Sequence, residues 1–141
     1  MKKLLNKYCV IVLISIFINP NKAAIDIRES AQATFTLIET AFSNNNISSI
    51  SGLIDNTTFI SLSNGVAGYF SSDQTINILK NFLDENKPIN FNLSNKKTET
   101  RKPFATGVFI YVNGGIRKQS RVFVSMYLSD EKWMISQITI N

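Results

Sequence analysis

Residues 104–128 read FATGVFIYVNGGIRKQSRVFVSMYL. Two runs rich in β-branched and aromatic residues flank Asn113-Gly114-Gly115. Glycine supplies the positive φ that a tight hairpin turn needs without a steric penalty, so the stretch is expected to form two antiparallel strands, 104–112 and 116–128. Side chains alternate along a strand, and the pairing register therefore decides which of them share a face. With Val112 opposite Ile116, Phe104, Thr106, Val108, Ile110 and Val112 share a face with Val122, Val124, Met126 and Leu128. This is the more uniformly apolar face, and it is expected to meet the rest of the core. The opposite face carries Phe109, Tyr111, Phe123 and Tyr127, with Arg117, Gln119 and Arg121 at one end.

Working outward, residues 129–132 make another tight turn before a last strand at 133–140. Pairing Leu128 with Trp133 adds Met134, Ile138 and Ile140 to that second face. Upstream, Ile89, Phe91 and Leu93 alternate with Asn90, Asn92 and Ser94, a strand with one wet face. Before Pro88 the period is 3.6 instead of 2. Ser71-Ser72-Asp73-Gln74 has the capping-box form, and Ile76, Leu79 and Leu83 follow on one helical stripe. Thr57 to Ser63 reads as a short strand closed by Asn64-Gly65, and Ile47, Ile50, Leu53 and Ile54 as a short helix. Ile27, Ala31, Phe35, Ile38 and Phe42 give a longer amphipathic helix, with Asp26 placed to cap its start and Ser43-Asn44-Asn45-Asn46 to end it. Helices first and most of the sheet last is an α+β layer architecture: N-terminal helices packed on a twisted, mainly antiparallel sheet.

The 141 residues suffice for one domain. Lys2, Lys3 and Lys7, an apolar run from Tyr8 broken only by Ser15, and the exit Asn19-Pro20-Asn21-Lys22-Ala23-Ala24 describe a secretory signal peptide; a spanning helix would need about 20 apolar residues. The expected organisation is a signal peptide over residues 1–24 and a single domain over residues 25–141, exported to the periplasm or the medium, with no stable membrane anchoring after cleavage. Removing Lys2, Lys3, Lys7 and Lys22 leaves eleven basic residues against ten acids, so the +5 of the whole chain falls to +1. Nucleic acid is not an expected partner of so balanced a chain. Arg101-Lys102 and Arg117-Lys118 stand at opposite ends of one strand and make two groups, not a patch. The chain has no histidine, and its one cysteine, Cys9, leaves with the signal peptide. This excludes His/Cys metal sites and histidine-based nucleophilic catalysis, and no metal or cofactor is expected.

The order of elements resembles a family of short exported bacterial proteins, domain of unknown function family 4783. The likeness is carried by Tyr69-Phe70-Ser71-Ser72-Asp73-Gln74, Ile78-Leu79-Lys80-Asn81-Phe82-Leu83, Pro88-Ile89-Asn90-Phe91 and Trp133-Met134-Ile135-Ser136-Gln137-Ile138. It covers residues 25–141. The family is similar to the nuclear transport factor 2-like and cystatin-like cone-shaped α+β fold, so the resemblance implies a curved sheet closed by helices. The wider superfamily holds ketosteroid-isomerase-like and polyketide-cyclase-like enzymes as well as binding and dimerisation modules without chemistry.

An isomerase of this fold class needs a carboxylate base in an apolar pocket and an oxyanion donor. By chain position the candidates are Asp55 and Asp73, with Tyr69 or Tyr111 as donor. Each has an ordinary structural use: Asp73 falls in a first helical turn, where the dipole favours a carboxylate, Asp55 sits beside a turn, and Tyr69 can pack. The leading expectation is therefore a non-catalytic exported binding or interaction domain. It is expected to form a homodimer through a sheet face carrying Phe109, Tyr111, Arg121, Phe123, Tyr127, Met134 and Ile138, and to hold a small apolar ligand in the cone. An isomerase- or cyclase-like enzyme with an aspartate base is the alternative.

Overall fold

The computed structural model describes the backbone of residues 20–141 and the side chains from residue 30 onward. The expected signal peptide, apart from the backbone of residues 20–24, and the Asp26 side chain lie outside the described residues. Helix α1 spans Pro20–Ser43, so its backbone is helical before the expected start at Asp26. Proline is well placed at a first helical position, where its missing N–H costs nothing. Ala31, Phe35, Ile38 and Phe42 are fully buried, as their spacing requires. The helix ends where the asparagines begin. Asn45 takes φ +50°, its N–H donates to Phe42 O and that of Asn46 to Ala41 O, a Schellman closure with asparagine in the left-handed position.

Ile47–Leu53 is a 3₁₀ helix, consistent with its buried Ile47 and Ile50 lying three residues apart. Strand β1 (Ile54–Leu62) follows, then a turn at Asn64-Gly65 and a four-residue strand β2 (Ala67–Phe70) that the sequence pattern did not reveal. Helix α2 (Ser72–Glu85) opens with the expected capping box: Gln74 N–H donates to Ser71 Oγ at 3.3 Å, and Ser71 N–H to Gln74 Oε1 at 3.0 Å. The remaining strands are β3 (Lys87–Lys97), β4 (Phe104–Asn113), β5 (Ile116–Ser129) and β6 (Lys132–Ile140). They form one sheet in the order β2-β1-β6-β5-β4-β3, antiparallel except for the β1–β6 pair. Both helices cover one side of it.

The hairpin register differs by one residue from expectation. Asn113 pairs with Ile116 and Val112 with Arg117, because Gly114 and Gly115 alone make the turn, at φ +58° and +77°. Those are the two left-handed positions of a type I′ turn. A shift of one residue turns β4 over relative to β5, so Ala105, Phe109 and Tyr111 join Val122, Val124 and Met126 in the core, and Phe104, Thr106, Val108, Ile110 and Val112 face the other way. Leu128 does pair with Trp133, but β6 then bulges opposite Ser125. Ser136 is the extra residue, and its hydroxyl donates to Ser125 O at 3.2 Å. Past the bulge the alternation inverts, which puts Ile138 and Ile140 into the core while Met134 stays outside. Phe109, Tyr111 and Ile138 are thus core residues and not part of the open face assigned to them from sequence.

Between helices and sheet the rings of Phe42, Phe91, Phe109 and Tyr111 follow one another at centroid distances of 4.4, 5.8 and 4.7 Å, with Phe82 against Phe109 at 6.2 Å. A small apolar ligand was expected in this space. Among the described residues, these rings line it.

Candidate functional site

Asp55 lies at the start of β1 with its carboxylate on the side of the sheet away from the helices. One oxygen accepts from Asn56 N–H at 2.8 Å, and the hydroxyl of Tyr127 on β5 donates to the same carboxylate. That hydrogen bond raises the Tyr127 phenol above its ordinary pKa of 10.0, and partial burial and the negative charge beside it push the same way. The pairing joins two residues that sequence reasoning had put in different categories, a candidate base and an interface aromatic. It could not have been read from spacing, since β6 separates the two strands.

The other catalytic candidates do not assemble around Asp55. Asp73 is exposed in the first turn of α2, where a carboxylate meets the helix dipole. Tyr111 is buried on the helix side of the sheet, its hydroxyl 3.3 Å from Ser120 Oγ, so the sheet itself stands between it and Asp55. Tyr69 is 72% exposed on β2 and packs edge-on against Phe59 at 5.1 Å. Of the four, only Asp55 has a functional-type partner, and that pair faces an open surface.

The surface has a structure of its own. Register places Phe59 beside Gln137, Ser125 and Phe104 in one row across β1, β6, β5 and β4, and Ser61 beside Thr139, Phe123 and Thr106 in the next. Tyr69 extends the first row onto β2. Phe104 and Phe123 stack diagonally at 5.8 Å. With Tyr127 and Met134 paired beyond the bulge, the open face carries a band of rings and a thioether from edge to centre, half-exposed except for the exposed Tyr69. Phe59 and Phe104 belong to it although neither was singled out from sequence. Arg121, Phe123, Tyr127 and Met134 are on this face, as the pattern expected. Toward the Gly114-Gly115 turn the aromatic band gives way to a groove of about 950 Å³ bordered by Thr106, Val108, Gln119, Arg121, Phe123 and Thr139.

Beside the groove the backbones of β3 and β4 are unusually close. β3 bulges between Asn92 and Asn95, opposite Gly107. A Cβ on Gly107 would lie 1.8 Å from Asn92 O, so no other residue fits without moving the strand.

The domain of unknown function family DUF4783 matches residues 35–141. The chain belongs to the DUF4783 family. A DUF4783 protein from Bacteroides uniformis is similar in structure at 18% identity and TM-score 0.67, covering 75% of this chain and 94% of its own. An uncharacterized protein with a cystatin-like fold from Caulobacter vibrioides gives 15% identity and TM-score 0.65, over 82% of this chain and 89% of its own. Rd1NTF2_04 with long sheet gives 10% identity and TM-score 0.66, over 79% of this chain and 100% of its own. Identities this low carry the fold alone: helices on a curved mixed sheet of the nuclear transport factor 2-like and cystatin-like type. Among curated proteins none matches this DUF4783 chain.

Proposed function

We propose that this DUF4783 protein is an exported, non-catalytic interaction domain whose open sheet face docks on a second copy of the chain, sheet to sheet. The observation that carries the reading is the band formed by Tyr69, Phe59, Tyr127, Met134, Phe123 and Phe104 on a face no described element covers. Aromatic residues, methionine and arginine are enriched at interface centres, and a contiguous apolar surface with a polar margin marks a docking site more often than idle surface. Export is supported by the basic start, apolar length and small-residue exit of residues 1–24.

One observation favours a second reading, an isomerase- or cyclase-like enzyme: Asp55 and Tyr127 do form a carboxylate–phenol pair. Against it, Asp55 faces the open side of the sheet, whereas a base of that kind works in an apolar enclosure. Light scattering on residues 25–141 tests the leading reading. The wild type should weigh as a dimer and Phe123→Asp as a monomer, since a charge at a central anchor costs on the order of 2 kcal/mol or more. A wild type that stays monomeric at high micromolar concentration would exclude the dimer. Turnover of enolisable ketones that is lost in Asp55→Asn would transfer support to the enzyme.

A further inference from the structure

The groove at the turn end of the open face differs in chemistry from the aromatic band. Its border residues are register neighbours, Thr106 with Phe123 and Thr139 in one row and Val108 with Arg121 in the next. They come from one chain, and Phe123 is shared with the band proposed as the dimer interface, so the groove borders that interface. At about 950 Å³ the groove is at the upper end of the range for small-molecule sites. Val108 and Phe123 give it apolar walls, while Thr106, Gln119 and Thr139 supply neutral hydrogen-bonding groups. Arg121 is the single charged side chain among the lining residues. Among the described residues its guanidinium has no ion pair or hydrogen bond. We infer that this groove binds a small amphipathic carboxylate, with the apolar body on Val108 and Phe123 and the carboxylate on Arg121.

The charge pattern selects this class. A polyanion such as nucleic acid is held by a row of cations, and only one lines the groove. A neutral apolar molecule would leave Arg121 unused, and a cation would be repelled. The planar guanidinium fork matches a carboxylate in two parallel hydrogen bonds, which a hydroxyl cannot return.

Residues 25–141 would be titrated with decanoate below its micelle concentration, following backbone amides by NMR, with decanol, decyltrimethylammonium and a short polyglutamate peptide as comparisons. Decanoate should bind saturably, one per chain, with shifts concentrated at Thr106, Val108, Phe123 and Thr139. Decanol should bind about tenfold more weakly or worse, and decyltrimethylammonium not at all. Arg121→Gln is an exposed change that should leave the fold intact and reduce decanoate to the level of decanol. Equal binding of decanoate and decanol, shifts confined to the helix–sheet core, retention of full decanoate affinity by Arg121→Gln, or tighter binding of polyglutamate would each overturn the assignment. Sedimentation of the same samples reports the oligomeric state separately, so a missing dimer and a missing ligand site are told apart.

Discussion

Gly107 shows what one residue decides in this fold. With Asn92 O where its Cβ would be, the glycine lets β3 bulge across β4, beside the groove. Gly107→Ala must push backbone aside, and overpacking of this kind costs roughly 2 kcal/mol; urea denaturation should show a lower midpoint with an unchanged slope. Nothing in the sequence marked this glycine, because a close approach between strands is set by pairing and not by neighbours in the chain. Asp55 and Tyr127 carry a second prediction. The folded phenol is raised above its unfolded value, so the protein binds that proton more tightly folded than unfolded. The pair's contribution to stability is therefore complete below pH of about 10 and is lost as pH rises through the folded pKa. Asp55→Ala should flatten that alkaline loss, and carbon NMR of the Tyr127 ring should show its ionisation moving to lower pH. An unchanged titration would mean the hydrogen bond does not form in solution.

At the scale of elements, the parts that were legible are those fixed by local chemistry. The Ser71/Gln74 capping box, the asparagine stop of α1 and the Gly-Gly hairpin all close within a few residues, and all three are present. What was lost turned on long-range geometry. Whether the turn holds two residues or three sets the register of β4, and a serine bulge in β6 inverts a strand end; neither leaves a periodic signal. β2 was missed because four residues, two of them Gly68 and the exposed Tyr69, are too few to show alternation. The free edge of β3 is a further case. Glu39 of α1 accepts from Leu93 N–H at 2.6 Å and pairs with Lys96 Nζ at 2.8 Å, while Ser43 Oγ both accepts from Phe91 N–H and donates to Phe91 O. Helix side chains thus occupy edge groups that could otherwise recruit a foreign strand. Glu39→Ala should cost roughly 2 kcal/mol, as expected for charge-assisted hydrogen bonds to a half-buried carboxylate, and should raise the aggregation rate in thioflavin assays. Wild-type stability and solubility in this variant would show that the contact is incidental.

For the whole molecule, the architecture divides labour between two sides of one sheet. The helix side is filled by phenylalanines and holds the fold together; the open side carries the exposed and half-exposed aromatic residues on which the proposed docking rests. The class and the order of all elements but β2 were readable from the sequence pattern and its change of period at Pro88, whereas the composition of the open face was not, since three of the seven residues expected there, Phe109, Tyr111 and Ile138, are in the core. The central claim is that Met134 and its neighbours are covered by a second copy. Residues 25–141 contain no cysteine, so a single thiol can report on that cover. Met134→Cys should react with a maleimide dye quickly at nanomolar protein and slowly at high micromolar protein, while Lys80→Cys, exposed on α2, reacts at one rate throughout. Equal rates for Met134→Cys at both concentrations would contradict docking through the open face.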